Sequence, residues 1–352
     1  MIDTQNQTPA QLGYYFPAEW ERHTATWLSW PHKEESWPGK IHTIYNVYAQ
    51  FVKALAEGEE VCINLNSEAM RQEATRHLQE VGTDLSKVKL LLHPTNDAWC
   101  RDHGPAFLVN PKVDVKKVVV KWNYNAWGDK YPPYDLDNQI PVRIGEYRNL
   151  PVFKPGIVME GGSVEFNGRG TLLTTKACLL NPNRNPHLNQ DQIEEYLRNY
   201  YGVNHILWLG DGIEGDDTDG HIDDLTRFVN GDTVVTVVEQ NKSDSNYEVL
   251  QENLDLLKTL RLENGKQLNV VELPMPDNPI IYEDQRLPAS YANFYIGNAA
   301  VIVPTFRDRH DQQALDILTK CFPDRKVIAL DSTDLIWGLG SFHCLSQQEP
   351  AV

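Results

Sequence analysis

The residues most able to do chemistry lie far apart in the chain. Cys344 stands near its end in Gly338-Leu-Gly-Ser-Phe-His-Cys-Leu-Ser-Gln-Gln-Glu-Pro, where Gly338 and Gly340 permit close backbone approach or unusual dihedrals. A cysteine becomes a nucleophile when a base and suitable charges gather around it, and those must come from elsewhere in the sequence. His343 is one rival base, but as a strand neighbour of Cys344 it should point to the opposite face. The densest polar run is Gly215-Asp-Asp-Thr-Asp-Gly-His-Ile-Asp-Asp. Within it His221 and Asp223 sit two apart at an expected strand start, so both should project to one side, one as proton carrier and one as holder of a cationic group. A calcium loop fails here. With Asp217 and Asp219 at ligand positions 3 and 5, positions 1 and 12 fall on Gly215 and Thr226, neither a carboxylate.

Two further carboxylates share a register with Asp223. Asp223 precedes Asn230 by seven positions, Glu160 precedes Asn167 by seven, and Asp102 precedes Asn110 by eight. Asn167-Gly168 and Asn230-Gly231 are hairpin-turn dipeptides, so these acids fall at equivalent strand starts. Were such starts to converge, their carboxylates would repel one another unless a cation sat between them. The pattern therefore expects a positively charged ligand. Phosphate loops, zinc helices and serine elbows are not found as motifs.

The elements that must position these residues follow from periodicity. Helical stripes cover 42–57, 67–80 and 246–261; Asn189 with Gln192 forms a capping-box signature, and Asp311 is expected to cap a fifth helix. Each helix precedes a short apolar strand: VCINL, VKLLL, HILWL, LNVVEL or KVIAL. Hairpins are expected around residues 167, 230 and 297, with a looser copy in GPAFLVNPKVDVKKVVV. The repeated order predicts about five ββαβ units able to close into a ring, within one domain spanning residues 1–352.

Composition bounds the partners. Of 352 residues 41% are apolar and 23% charged, and 32 basic against 49 acidic residues give a net charge of −17. That balance argues against nucleic-acid or anionic-membrane surfaces and suits a small cationic substrate. No apolar run approaches a membrane span, the first twenty residues lack the basic and apolar regions of a secretory leader, and the five cysteines form no paired pattern. The expected compartment is a reducing cytoplasm. The oligomeric state stays open, a homo-oligomer included.

Together, Asn96-Asp-Ala-Trp-Cys-Arg-Asp-His-Gly-Pro, Met159-Glu-Gly-Gly-Ser, Asp216-Asp-Thr-Asp-Gly-His-Ile-Asp and Phe342-His-Cys-Leu-Ser-Gln-Gln-Glu-Pro resemble the motifs of the agmatine deiminases. These belong to the bacterial-type peptidylarginine deiminase family of the guanidine-modifying superfamily. Pro17-Ala-Glu-Trp-Glu and Asn125-Ala-Trp-Gly match as well. The resemblance implies an α/β fold, the five-bladed α/β propeller called a pentein. It makes Cys344 the nucleophile, His221 the general acid/base and Glu160 its partner. Asp102 and Asp223 would hold the guanidinium, with Trp99 lining the channel, and no metal or organic cofactor is implied. The implied reaction is hydrolytic deimination of agmatine, with free or peptidyl arginine, another guanidine or non-catalytic guanidinium binding as alternatives. Asp217 or Glu214 would receive the amine tail. Where the family often has Gly-Gly-Gly before the last motif, this chain has Gly338-Leu-Gly, which alters the expected channel wall.

Overall fold

The computed structural model describes residues 2–352. Five of its sheets repeat one order, an antiparallel pair followed by a strand parallel to the second member. The first sheet begins with β1 (His23–Ser29), β2 (Glu60–Asn64) and β3 (Val88–Leu91), all parallel. Its antiparallel partner for β1 is the last strand of the chain, Ser346–Pro350, so the two ends of the sequence meet in one sheet. The next sheets are β4 (Ala106–Val109), β5 (Lys117–Val120) and β6 (Val152–Phe153); β7 (Val164–Phe166), β8 (Thr171–Thr175) and β9 (His205–Leu209); and β10 (Thr226–Asn230), β11 (Thr233–Val238) and β12 (Asn269–Pro274). A two-stranded ribbon, β13 (Ile281–Tyr282) and β14 (Gln285–Arg286), precedes β15 (Tyr295–Ile296), β16 (Ala300–Thr305) and β17 (Lys326–Asp331); the C-terminal strand is β18.

Each parallel crossover is made by a helix that buries one face. Ile41–Ala56 turns Ile44, Tyr48, Phe51, Val52 and Leu55 inward, and Tyr247–Leu257 buries Leu250, Leu254 and Leu257. Each such side chain contributes about 1.5–3 kcal/mol when fully buried. The expected capping box is present: Asn189 accepts from the Gln192 amide and Gln192 from the Asn189 amide, opening Gln190–Tyr201. That helix ends at Gly202 with φ +69°, where a Cβ would meet the Tyr14 carbonyl oxygen at 2.4 Å. Glycine satisfies both demands.

The structure corrects two expectations. Asp311 is the first residue of the helix Asp311–Cys321 rather than its cap, which is His310. Its carboxylate instead ties down the approach to the helix, accepting from the Phe306 and Asp308 amides at 3.0 Å each. A helix at Ile140–Arg148 falls outside the predicted set, because Pro141 and Gly145 dilute its periodicity.

Candidate active site

The same structural feature precedes the first strand of all five sheets: a turn that carries polar side chains. Asp102 lies in the single helical turn Cys100–His103 before β4. Glu160 caps a 3₁₀ turn before β7, and His221 and Asp223 flank or occupy the turn Ile222–Asp224 before β10. Asn293 precedes β15, and Cys344 lies in the turn before β18. Residues in such turns are not bound to the two-face alternation of a strand.

These residues meet. The Cys344 sulfur is 3.6 Å from Asp223 Oδ2. His221 Nδ1 stands 3.8 Å from Asp102 Oδ1 and 3.9 Å from Asp223 Oδ1, and its Nε2 is 3.9 Å from Glu160 Oε2. Gly162 makes this density possible. A Cβ there would lie 2.6 Å from His221 Nδ1 and 2.9 Å from Asp102 Oδ1. The Gly162 amide also donates to Asp102 Oδ1 at 3.0 Å.

Each charge is set by its surroundings. Burial raises the Asp102 pKa to about 6, against the pull of His221, and Asp223 and Glu160 add to the rise. For Asp223, burial is outweighed by the bond and charge of His343, which lower its pKa. Glu160 is likewise lowered, because Arg184 Nε at 2.7 Å overcomes burial. Burial opposes the charged His221, but Asp102 heads the groups that raise it well above the ordinary histidine range. Burial, then Asp223, Asp224 and Asp102, push the Cys344 thiol up. Without a cation present, the sulfur is held as a thiol.

Beside this cluster lies a cavity of about 160 Å³ whose lining includes Cys344, Asp102, Trp99, Trp127, Leu339 and Asp217. Trp99 stacks on Trp37 with ring centroids 5.2 Å apart. Gly340 lets both Trp99 and Cys344 approach the same backbone, since a Cβ there would lie 2.7 Å from the Trp99 ring and 3.2 Å from the sulfur. His221, Asp223 and Glu160 are fully buried and do not line the cavity. Two trios, Glu160–Cys178–His221 and Asp223–Asp224–Cys344, have potential donor atoms within 4.8 Å of one another. In the first, Arg184 already supplies positive charge; the second contains the thiol that lines the cavity.

The sequence model of the Porphyromonas-type peptidyl-arginine deiminase family matches residues 15–350. The chain belongs to that family. It is 35% identical over 372 residues to a Pseudomonas syringae protein named agmatine deiminase, covering 99% of both chains. Among solved structures it resembles agmatine deiminase of Enterococcus faecalis, with a TM-score of 0.92, 31% identity and 98% of each chain covered. It also resembles a cysteine-to-serine variant of C. jejuni agmatine deiminase with substrate bound, with a TM-score of 0.85, 33% identity and 96% of each chain covered. The α/β fold is that of these deiminase structures.

The family motifs thus place Cys344, His221, Glu160, Asp102 and Asp223 in one cluster, with Trp99 beside it. Asp217 reaches the cavity, but it is engaged by Lys130 Nζ at 3.2 Å and by the Tyr131 hydroxyl. Glu214 is not part of that lining; it accepts from Ser245 and lies 3.8 Å from Arg286. His343 is not a strand neighbour of Cys344, because both lie in a turn. Its Nδ1 contacts Asp223 Oδ2 at 2.6 Å, the same oxygen that faces the Cys344 sulfur.

Three contributors receive no role from sequence reasoning, although Trp127 lies in the matching segment Asn125-Ala-Trp-Gly. Asn293 donates to the Cys344 sulfur at 3.0 Å and to Asp224 at 2.9 Å. Its place before the Gly297-Asn298 turn is a usable signal, but a search for carboxylates passes over a neutral amide. Trp127 donates Nε1–H to Asp102 Oδ2 at 3.0 Å. It does so from a run of four successive residues with positive φ, Ala126, Trp127, Gly128 and Asp129, a backbone strain that sites can retain where geometry demands it. Arg184 comes from a loop with no motif signal of its own.

Proposed function

We propose that the protein hydrolyses agmatine to N-carbamoylputrescine and ammonia through a thiouronium on Cys344. One observation carries the reading: a buried thiol lies within 3.6 Å of Asp223, in a cluster where Asp102 and Glu160 flank an imidazole, beside an aromatic-walled cavity. A guanidinium is planar and donates to carboxylates in pairs. Among the described residues Asp223 Oδ1 has no hydrogen-bond partner, so it keeps an acceptor for a guanidinium that reaches the buried cluster behind Cys344; Asp102, which lines the cavity, supplies the second carboxylate. The arriving cation offsets the carboxylates that keep the thiol protonated, so the thiol releases its proton to solvent as substrate binds and the thiolate forms where it is needed.

The thiolate then bonds to the guanidine carbon. As that carbon's bond to one terminal nitrogen breaks, His221 gives its proton to the departing ammonia. Next, His221 takes a proton from water, whose oxygen bonds to the same carbon as the carbon–sulfur bond breaks. The oxygen's remaining proton is lost as the ureido carbonyl forms, and the expelled sulfur takes one up, so a ureido product and the Cys344 thiol remain. Glu160, anchored by Arg184, is the partner of His221. Trp99 flanks the substrate, and Asp217 faces its amine tail once Lys130 yields. Among the described residues the cavity lining carries Glu35, Asp97 and Asp217 but no arginine, and its one lysine, Lys33, is 3.6 Å from Asp97; that acidic balance favours the amine tail of agmatine over the carboxylate of arginine.

In this reading residues 1–352 act as one catalytic unit. The five ββαβ sheets form a five-bladed propeller closed by the β1–β18 pairing, which brings their leading turns to one centre. No described helix is long and apolar enough to cross a membrane; we place the enzyme in the cytoplasm. Parallel assays of ureido product and ammonia from agmatine, arginine and a C-terminal arginine peptide test the function. Predominant turnover of agmatine is expected, and preference for either arginine substrate overturns the substrate assignment.

A further inference from the structure

His221 is held unusually loosely for a proposed acid/base. Its ring is fully buried, yet among the described residues neither nitrogen has a hydrogen-bond partner. The surrounding carboxylates stand back at 3.8–3.9 Å. An unsatisfied buried polar group costs about 1–3 kcal/mol, and an unanchored imidazole can turn about its broad χ2 well. General acid/base work needs one nitrogen presented consistently to the ammonia and then to the water.

Cys178, in the one-turn helix Lys176–Leu179 after β8, borders this gap. Its buried sulfur is 4.0 Å from Glu160 Oε2. That sulfur, the carboxylate and a His221 ring nitrogen lie within 4.8 Å of one another. A single hydroxyl ties the two residues' backbones together. Thr175 Oγ1 accepts from the Cys178 amide at 3.3 Å and donates to the Gly220 carbonyl, the peptide leading into His221, at 2.6 Å. The remaining oxygen of Glu160 is occupied by Arg184. A thiol suits the space, since sulfur is large, polarizable and both a weak donor and a weak acceptor.

We propose that Cys178 is a positioning residue for His221, its thiol bridging the imidazole and Glu160 Oε2 so that the ring keeps one orientation and its proton. This rests on the reading of His221 as the acid/base. Burial pushes the Cys178 thiol up, so it stays S–H and does not compete with Cys344 as a nucleophile. The other titratable groups facing His221 are Asp102, Glu160, Asp216, Asp223 and Asp224. All remain when the sulfur is removed, so the loss isolates one favourable contact to protonated His221.

The test compares full-length wild type with Cys178→Val, Cys178→Ala and Cys178→Ser, reading pH profiles of agmatine turnover and thermal midpoints. Turnover by the wild type tests the function itself; the variant-to-wild-type ratio tests the positioning. Val and Ala should lower kcat about tenfold or more, with KM within about threefold, and move the alkaline limb to lower pH. Ser, which keeps a donor and an acceptor, should retain the wild-type limb. A Val variant with wild-type kcat and limb overturns the proposal, as does a Ser variant as impaired as Val. If Ala does not fold, the contrast between Val and Ser decides, and failure of both to fold makes the thiol structural and overturns the proposal too.

Discussion

Two clusters of buried charge are joined by one histidine and differ in how completely they are paired. In the first, Glu19 receives Arg227 at 3.0 Å, Arg101 at 3.1 Å, His343 at 2.8 Å and the Ile296 amide at 2.8 Å. Arg227 also bonds Glu165 and two carbonyls, and Arg101 bonds Gln348. Among the described residues, none of this cluster's buried side-chain nitrogens or oxygens lacks a partner. In the second cluster, both His221 nitrogens and Asp223 Oδ1 are unpaired. His343 joins the two by contacting Glu19 with one nitrogen and Asp223 with the other. The paired cluster fixes the frame. The unpaired one retains unused hydrogen-bonding capacity for a ligand, at the cost of buried polar atoms left unsatisfied.

The largest expected effect falls on the unpaired side. Cys344→Ala should remove turnover, a loss of about 10⁴-fold or more, while leaving thermal unfolding essentially unchanged. Wild-type turnover in that variant would end the proposed chemistry. The paired side should respond in stability instead. Glu19→Ala strips a carboxylate from two buried arginines and should destabilise the fold by about 3–5 kcal/mol in denaturant titrations. A stability loss no larger than that of an exposed ion pair would erase the contrast between the clusters.

Asp102→Asn sharpens it, because stability and activity should move apart. The folded-state pKa of about 6 lies above the ordinary aspartate value of 3.8. The folded chain therefore binds this proton more tightly than the unfolded chain does. The cost to stability builds as pH rises from about 3.8 through about 6, is fully present above that, and disappears on acidification. At neutral pH the asparagine variant should gain on the order of 1–3 kcal/mol in stability and lose a similar amount from kcat/KM through its broken bond to the guanidinium. A variant that loses stability at neutral pH would show that Asp102 belongs with the paired charges.

How much of this is legible in the sequence depends on how local the cause is. The helix Gln190–Tyr201 and strand His205–Leu209 follow from an Asn189–Gln192 cap and an apolar run, both short-range signals, and they lie where expected. The register that links Asp102, Glu160 and Asp223 is also readable, since hairpin turns mark equivalent positions. Their common placement in helical turns is not, because a turn of three or four residues leaves no periodicity. For the same reason strand alternation gives the wrong geometry for His343. Trp127 reaches Asp102 through a left-handed backbone that Ala126 and Trp127 do not announce by type. Arg184 and Asn293 become legible only when loops distant in sequence are brought together.

The smallest expected effect is a pH dependence, and it tests which of the two guanidinium-facing carboxylates limits binding. Asp223 has its pKa lowered with the help of His343 and stays charged through mildly acidic solution. Asp102 does not: it protonates as pH falls through about 6 and then offers one acceptor fewer to the cation. The acid limb of kcat/KM should therefore fall near that pH, mainly through a rise in KM, and Asp102→Asn should flatten it. Trp127→Phe removes the indole N–H that supports the Asp102 carboxylate at 3.0 Å. Losing a donor to the charged form makes protonation easier, so the limb should move to higher pH while the alkaline limb, set by His221, stays in place. An acid limb that survives Asp102→Asn would assign the limiting proton to another member of the cluster.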